Sequence, residues 1–207
     1  MAAKLGQLMR ALTLDDILPL DEYAARRREH FESISRYLDR YRRLRIGPRV
    51  TLLFENRQTL WYRVQELLRI ARLADPARVQ QELDIYNRLL PSRDRLQAAL
   101  LIDITDESRL TEELANWQSL RGDALQLRLD DRAYPANLLT CRPEDRTIGA
   151  AHWVQFVLDP NGRNLLADLH RRAWFTLAHP GYQHDSGPLG DDVRQSLVED
   201  LELSDRD

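Results

Sequence analysis

The sequence predicts an α+β protein in which about five strands form a largely antiparallel sheet with helices packed mainly on one face. Segments with a two-residue alternation of side chains predict strands, and segments with helical spacing lie between them. The helices are irregularly distributed along the chain, and several strands have one polar face. Both features favour an antiparallel sheet over a doubly wound parallel one.

The chain has 207 residues, which fits one domain with tails. We expect residues 1–12 to form a flexible arm and residues 13–182 to form a single α+β domain. Residues 183–207 are predicted to form an acidic C-terminal helix and tail.

The first half of the domain contains one predicted strand followed by a helix. Asp21 is expected to cap a long helix over residues 21–44. Residues 50–55 alternate at the period of a strand, and a polar stretch interrupts the pattern. Helical spacing resumes over residues 59–73, with Thr59 as the expected N-cap.

The rest of the chain continues to mix helices and strands. Residues 131–149 contain two prolines and are expected to form an irregular surface segment. The remaining predicted elements are, in order, helix 76–90, strand 96–104, helix 107–120, strand 124–130, strand 151–158, helix 163–171, strand 173–179 and helix 191–203.

Composition excludes several classes of protein. A net charge of −3 gives no general attraction to nucleic acid, and no recognised DNA-reading motif is present. Cys141 is the only cysteine, so an intramolecular disulfide or a cysteine-based metal cluster within one chain is excluded. No apolar run has the length of a membrane span, and no secretion signal is recognised, so we expect a cytoplasmic protein.

Charge is unevenly distributed along the chain. Residues 21–49 carry nine arginines and five acids, whereas residues 185–207 carry eight acids and two arginines. Two interpretations remain open. The charges could form solvated surfaces, or the acidic tail could dock on the basic helix within one chain or between chains of a homo-oligomer.

The strand–helix junction is the first candidate site. Such a junction holds side chains and helix N-terminal amides in fixed positions. If the helices over 59–73 and 76–90 form a hairpin, their polar groups could converge and bind an anion or a cation, but they could equally form structural salt bridges and caps. The candidate ligand-binding residues are Glu55, Asn56, Arg57, Tyr62, Gln65, Glu66, Arg69, Glu82, Tyr86 and Asn87.

Two histidines form a second candidate site. His152 and His179 lie at strand ends, and we expect the connecting turn and helix to bring their strands together as neighbours. With one or two of the glutamates they could bind iron, manganese or zinc. Their spacing matches no established metal motif, so a structural role is the alternative.

The sequence resembles a bacterial family known only as a domain of unknown function. The similarity extends from about Leu14 to Tyr182. It is carried by residues 51–57, 64–69, 82–91, 152–156 and 179–182. Members of that family are often encoded beside rubrerythrin-like proteins and iron–sulfur oxidoreductases related to heterodisulfide reductase. The resemblance implies a redox setting and no particular reaction.

Two functional hypotheses follow from these observations. The first is an accessory or binding protein that acts with redox partner proteins, because the chain has neither a cysteine cluster nor a nucleotide-binding motif. The second is an enzyme, or a metal- or small-ligand-binding protein, with a polar pocket at residues 55–69. The sequence identifies no cofactor.

Overall fold

The computed structural model describes residues 10–140, 142 and 149–203, with side chains described as far as residue 201. Most of the predicted arm and Cys141 lie outside the described residues. The described helices are α1 (Leu20–Tyr41), α2 (Arg57–Ala71), α3 (Pro76–Asn87), α4 (Leu110–Gln118), α5 (Pro160–Ala167) and α6 (Asp191–Leu203). The described strands are β1 (Arg43–Ile46), β2 (Val50–Phe54), β3 (Arg95–Ile102), β4 (Leu125–Leu129), β5 (Arg132–Leu139), β6 (Ala151–Val157), β7 (Ala173–His179) and β8 (Tyr182–Pro188).

The prediction of about five strands was wrong, although the α+β class is correct. One eight-stranded sheet has the order β1-β2-β3-β6-β5-β4-β7-β8, and every pairing is antiparallel. The two edge strands approach each other, which makes the sheet a nearly closed barrel. The Tyr182 hydroxyl of β8 donates a hydrogen bond to the Ile46 carbonyl of β1 and accepts one from the Arg49 amide.

The three unpredicted strands have weak sequence signals. β1 follows directly after α1, so the sequence pattern assigns its arginines to the last turn of that helix. β5 contains Pro135, which cannot donate a ladder hydrogen bond and makes the segment read as irregular. β8 is mainly polar and exposed, and among the described strands it pairs with β7 alone. Pairing with neighbours, and not local propensity, therefore defines these strands.

Two hydrophobic cores organise the molecule. The main core contains inward-facing residues of all eight strands, together with Trp117 of α4, Leu166 of α5 and Leu197 of α6. A second core lies around α2 and α3, and Trp153 and Leu139 from the opposite face of the sheet pack against it. The helices therefore contribute to both faces of the sheet, which corrects the prediction of packing mainly on one face.

Helix α6 packs beside α1 and brings the acidic and basic ends of the chain together. Arg40 pairs with Asp192 at 2.9 Å on the surface. Arg42 and Asp200 form a second ion pair in which both side chains are buried. Within the described residues, no helix is both long and apolar enough to cross a membrane.

Candidate functional site

The polar turn between β2 and α2 is built by Asn56. Its side-chain oxygen accepts hydrogen bonds from the backbone amides of Gln58 and Thr59, both at 3.1 Å. The backbone amide of Asn56 donates to the Thr59 hydroxyl at 2.9 Å. Asn56 is therefore the N-cap of α2, and the expectation that Thr59 has this role was wrong. This reciprocal cap fixes the direction in which α2 leaves the sheet.

Glu55, just before this cap, is a buried carboxylate with both oxygens engaged. Arg63 approaches one oxygen with Nε at 2.7 Å and Nη2 at 2.6 Å, and the Thr59 hydroxyl donates to the other at 2.5 Å. The Arg63 guanidinium also lies over the Trp153 ring, 5.3 Å from its centroid. Burial lowers the pKa of Arg63, but the charge of Glu55 outweighs burial and leaves this pKa above its ordinary value.

Residues of α3 and the segment at Arg142 extend this group, which we call the junction cluster (Glu55, Arg63, Glu82, Tyr86 and Arg142). Arg142 pairs with Glu82 and lies 6.0 Å from the centroid of the Tyr86 ring. Burial is the main cause that raises the pKa of Tyr86, while the two arginines oppose it. The cluster is thus a set of paired charges around a neutral phenol.

Glu66 lies in a different environment, facing α1. It accepts hydrogen bonds from Tyr23 at 2.8 Å, Arg27 at 2.9 Å and Arg69 at 3.0 Å. Burial opposes ionisation of this carboxyl, but these donors outweigh burial and lower its pKa to about 2. Tyr62 lies close enough for the charge of Glu66 to add to burial in raising the Tyr62 pKa. Glu66 is therefore ionised and fully engaged at neutral pH.

Arg57 and Asn87 hold the segment that precedes α1. Arg57 pairs with Asp16 at 2.6 Å and donates to the Arg10 carbonyl at 2.8 Å. Asn87 exchanges two hydrogen bonds with the backbone of Leu12, at 2.8 and 2.9 Å. These bonds fasten residues 10–16 onto α2 and α3.

The predicted site residues therefore do not share one pocket. The structure brings together Glu55, Glu82 and Tyr86 in the junction cluster, whereas Tyr62, Glu66 and Arg69 face α1. Asn56 also donates to the Tyr37 hydroxyl of α1 at 2.8 Å. Gln65 is fully buried, and its amide makes no hydrogen bond to any described residue. A ligand-binding role for these residues stays a prediction.

Sequence reasoning missed Arg63, Trp153 and Arg142 in the junction cluster. Arg63 had a local signal, because it lies one helical turn after Thr59. Trp153 is brought in by strand pairing far along the chain, for which the sequence has no local signal.

The two histidines are not on neighbouring strands, which corrects the expected strand adjacency, although the rings lie close enough for the charge of His179 to add to burial in lowering the pKa of His152. Strands β5 and β4 separate β6 from β7. His179 stacks on Trp117, with ring centroids 4.7 Å apart, and its Nε2 lies 3.1 Å from the Asn116 carbonyl oxygen. Burial lowers the pKa of both His152 and His179, so both are neutral at pH 7. The described residues contain no group of three or more metal-ligating side chains, and metal binding stays a prediction.

An apolar groove of about 600 Å³ lies between the fastened segment and the α2–α3 hairpin. Trp61 supports its wall by donating from Nε1 to the Asp16 carbonyl at 2.8 Å. The groove is lined by Leu14, Ile17, Leu18, Pro19, Leu20, Asp21, Leu68, Leu73, Ala74, Pro76 and Val79. Leu14 remains 41% exposed although it lines the groove.

The architecture defines an α+β protein built on a nearly closed antiparallel sheet, with a polar junction beside an apolar groove. Residues 11–201 match the model of a family described as "Protein of unknown function (DUF3501)", and the chain belongs to this family. The predicted membership of a family of unknown function is thus confirmed. Its expected genomic neighbours stay a prediction.

A solved structure is similar over nearly the whole chain. It is the crystal structure of a novel protein of unknown function from Burkholderia pseudomallei K96243, which has 30% sequence identity and a TM-score of 0.83. The alignment covers 93% of this chain and 100% of that chain. No curated protein matches the chain.

Proposed function

We propose that this protein is a cytoplasmic accessory protein that binds a protein partner of a redox system through the apolar groove. The redox assignment depends on the gene neighbourhood expected for the family, with rubrerythrin-like and iron–sulfur proteins as the partner candidates. The binding assignment depends on the groove itself, which is the observation that carries the proposal.

The groove has the properties of a protein-docking surface. Its lining is apolar apart from Asp21, and an exposed apolar concavity of this kind is uncommon unless something covers it. One wall is the segment before α1 and the floor is a helix hairpin, a geometry that suits an amphipathic helix laid in a groove. Asp21 favours a partner helix with a basic residue beside its apolar row.

The walls of the groove are held in place before any partner arrives. Arg57 and Asn87 each make two contacts to the segment 10–16, and Trp61 makes another. A preformed surface loses less conformational entropy on binding than a mobile one. Two residues predicted as ligand-binding therefore act, in this proposal, as positioning residues for the groove.

The alternative of an enzyme at the junction has less support. A general base needs a free acceptor within reach of a substrate proton. Glu55 has both oxygens occupied by Arg63 and Thr59, and Glu66 is held by two arginines and a tyrosine. These saturated carboxylates are better suited to holding the strand–helix junction in shape.

The test uses a charged substitution on the groove wall. We expect the purified protein to bind a purified rubrerythrin-like or heterodisulfide-reductase-related protein from the same organism. Leu14→Glu should weaken the complex by about 10- to 100-fold, because burying a leucine contributes about 1.5–3 kcal/mol. The measurement is biolayer interferometry with the partner immobilised.

Leu110→Glu is the matched control, because Leu110 is 44% exposed and lies on α4, away from the groove. It should bind as the wild type does. Equal affinity of wild type and Leu14→Glu would refute the groove as the docking site. A change in self-association of Leu14→Glu by analytical ultracentrifugation, without any partner binding, would assign the groove to a homo-oligomer instead.

A further inference from the structure

A second, polar pocket lies between α1 and α6 and is independent of the apolar groove. Its volume is about 420 Å³, in the range that accommodates a small molecule. It is lined by Tyr37, Tyr41, Asp192, Gln195, Ser196 and Glu199. The combination of two aromatic rings with carboxylates is the combination that recognises organic cations.

The two tyrosines present neighbouring ring surfaces. Their centroids are 5.4 Å apart, with the rings tilted by 45°. The Tyr37 hydroxyl is fixed by accepting hydrogen bonds from Arg42 Nε at 3.0 Å and from Asn56 Nδ2 at 2.8 Å. One wall of the pocket is therefore held rigidly by the buried residues beneath it.

The charges around the pocket do not balance. Asp192 is paired with Arg40 and Asp200 with Arg42, but Glu199 forms no ion pair with any described residue and contacts only the Gln195 amide, at 3.4 Å. These side chains therefore carry one more carboxylate than guanidinium. Glu199 lies close enough to Asp200 for its charge to add to burial in raising the Asp200 pKa.

Ser196 also contributes a hydroxyl group to the pocket. Ser196 lines the pocket although the residue is only 6% exposed. Within the described residues its hydroxyl makes no hydrogen bond, so it is available to a ligand in the pocket. The hydroxyl oxygen can accept a hydrogen bond from an ammonium or guanidinium group placed between the rings and Glu199.

Arg40 shows how this surface receives a guanidinium. Its CZ lies 5.0 Å from the centroid of the Tyr41 ring while its Nε donates to Asp192 at 2.9 Å. We propose that the α1–α6 pocket binds a monovalent organic cation, an alkylammonium or alkylguanidinium group, through the faces of Tyr37 and Tyr41, the Glu199 carboxylate and the Ser196 hydroxyl. The cation comes either from a free small molecule or from an exposed arginine of another protein.

The test is isothermal titration calorimetry of the full chain with n-butylguanidinium chloride at low salt. We expect a dissociation constant of about 1 mM or tighter. The isosteric neutral compound n-butylurea should bind at least about tenfold more weakly, because it lacks the charge that Glu199 and the rings recognise. Added salt should weaken the binding of n-butylguanidinium and leave the binding of n-butylurea unaffected.

Glu199→Gln should weaken n-butylguanidinium by about tenfold or more, and Glu107→Gln, at another exposed glutamate, should have no effect. N-acetylargininamide distinguishes the sources. Tighter binding than n-butylguanidinium indicates an arginine of a protein, and weaker binding indicates a free cation. Absence of binding at about 10 mM, equal binding of n-butylurea, or an unchanged Glu199→Gln variant would each overturn the proposal.

Discussion

Removal of the buried ion pair between α1 and α6 should strongly destabilise the fold. The side chains of Arg42 and Asp200 are only 3% and 5% exposed, and the guanidinium meets the carboxylate with both terminal nitrogens. Asp200→Ala leaves the guanidinium buried without its counter-charge, which costs about 3–5 kcal/mol. Tyr37, which accepts from Arg42 Nε, cannot replace the lost charge.

The surface pair between the same two helices provides the matched control. Arg40 and Asp192 are 63% and 55% exposed, so Asp192→Ala should cost less than about 1 kcal/mol. Both substitutions remove one carboxylate from α6 at a contact with α1. The difference between them therefore isolates the effect of burial.

Urea unfolding followed by circular dichroism measures both free energies of unfolding. A third variant, Arg42→Met with Asp200→Leu, should recover most of the stability lost in Asp200→Ala, because no buried charge remains without a partner. Similar losses in Asp200→Ala and Asp192→Ala would refute the reasoning. A double variant no more stable than Asp200→Ala would show instead that packing at this contact dominates.

Two further predictions concern acid stability and the seam of the sheet. Glu66 has a folded pKa of about 2 against an ordinary value of 4.5, so its contribution is fully present above about pH 4.5 and is lost as the pH falls toward 2. After allowance for the partly exposed Arg27, this contribution is about 2 kcal/mol. The difference in the free energy of unfolding between wild type and Glu66→Gln should shrink by that amount between pH 6 and pH 2. A difference that stays constant in urea titrations contradicts this. Tyr182→Phe removes the hydroxyl that joins β1 to β8 and should cost about 1–3 kcal/mol by thermal unfolding. Tyr41→Phe, which removes a hydroxyl without a hydrogen bond within the described residues, should change little; equal losses in the two variants would contradict the role of the Tyr182 hydroxyl.

The sequence predicts the helices and the central strands well because their patterns are local. The last helix begins at Asp191, as expected from residues 191–203, and β3 (Arg95–Ile102) overlaps the predicted strand 96–104 over residues 96–102. Strand β5 shows the limit of this reasoning. Pro135 lies opposite Gln126 in the ladder, and only the neighbouring strands on both sides make this segment a strand.

The candidate site is harder to predict because partners lie far apart along the chain. Glu55 and Glu66 were both predicted as ligand-binding residues, which stays a prediction. Nothing near them in sequence indicates that Glu55 pairs with Arg63 while Glu66 accepts a hydrogen bond from Tyr23 of α1. Side chains one or two residues apart on a helix point toward different faces. The environment of each carboxylate is therefore decided by what packs on its face.

Arg42 and Arg43 show how small a sequence difference decides such an environment. They are adjacent and chemically identical, yet Arg42 is buried on Asp200 while Arg43 is 46% exposed and pairs with Asp39. Helix α1 ends at Tyr41, so Arg42 occupies the turn that directs it under α6, and Arg43 begins the exposed register of β1. The distribution of charge along the sequence indicates that the basic and acidic segments could attract each other. The end of a helix decides which arginine becomes part of the core and which remains on the surface.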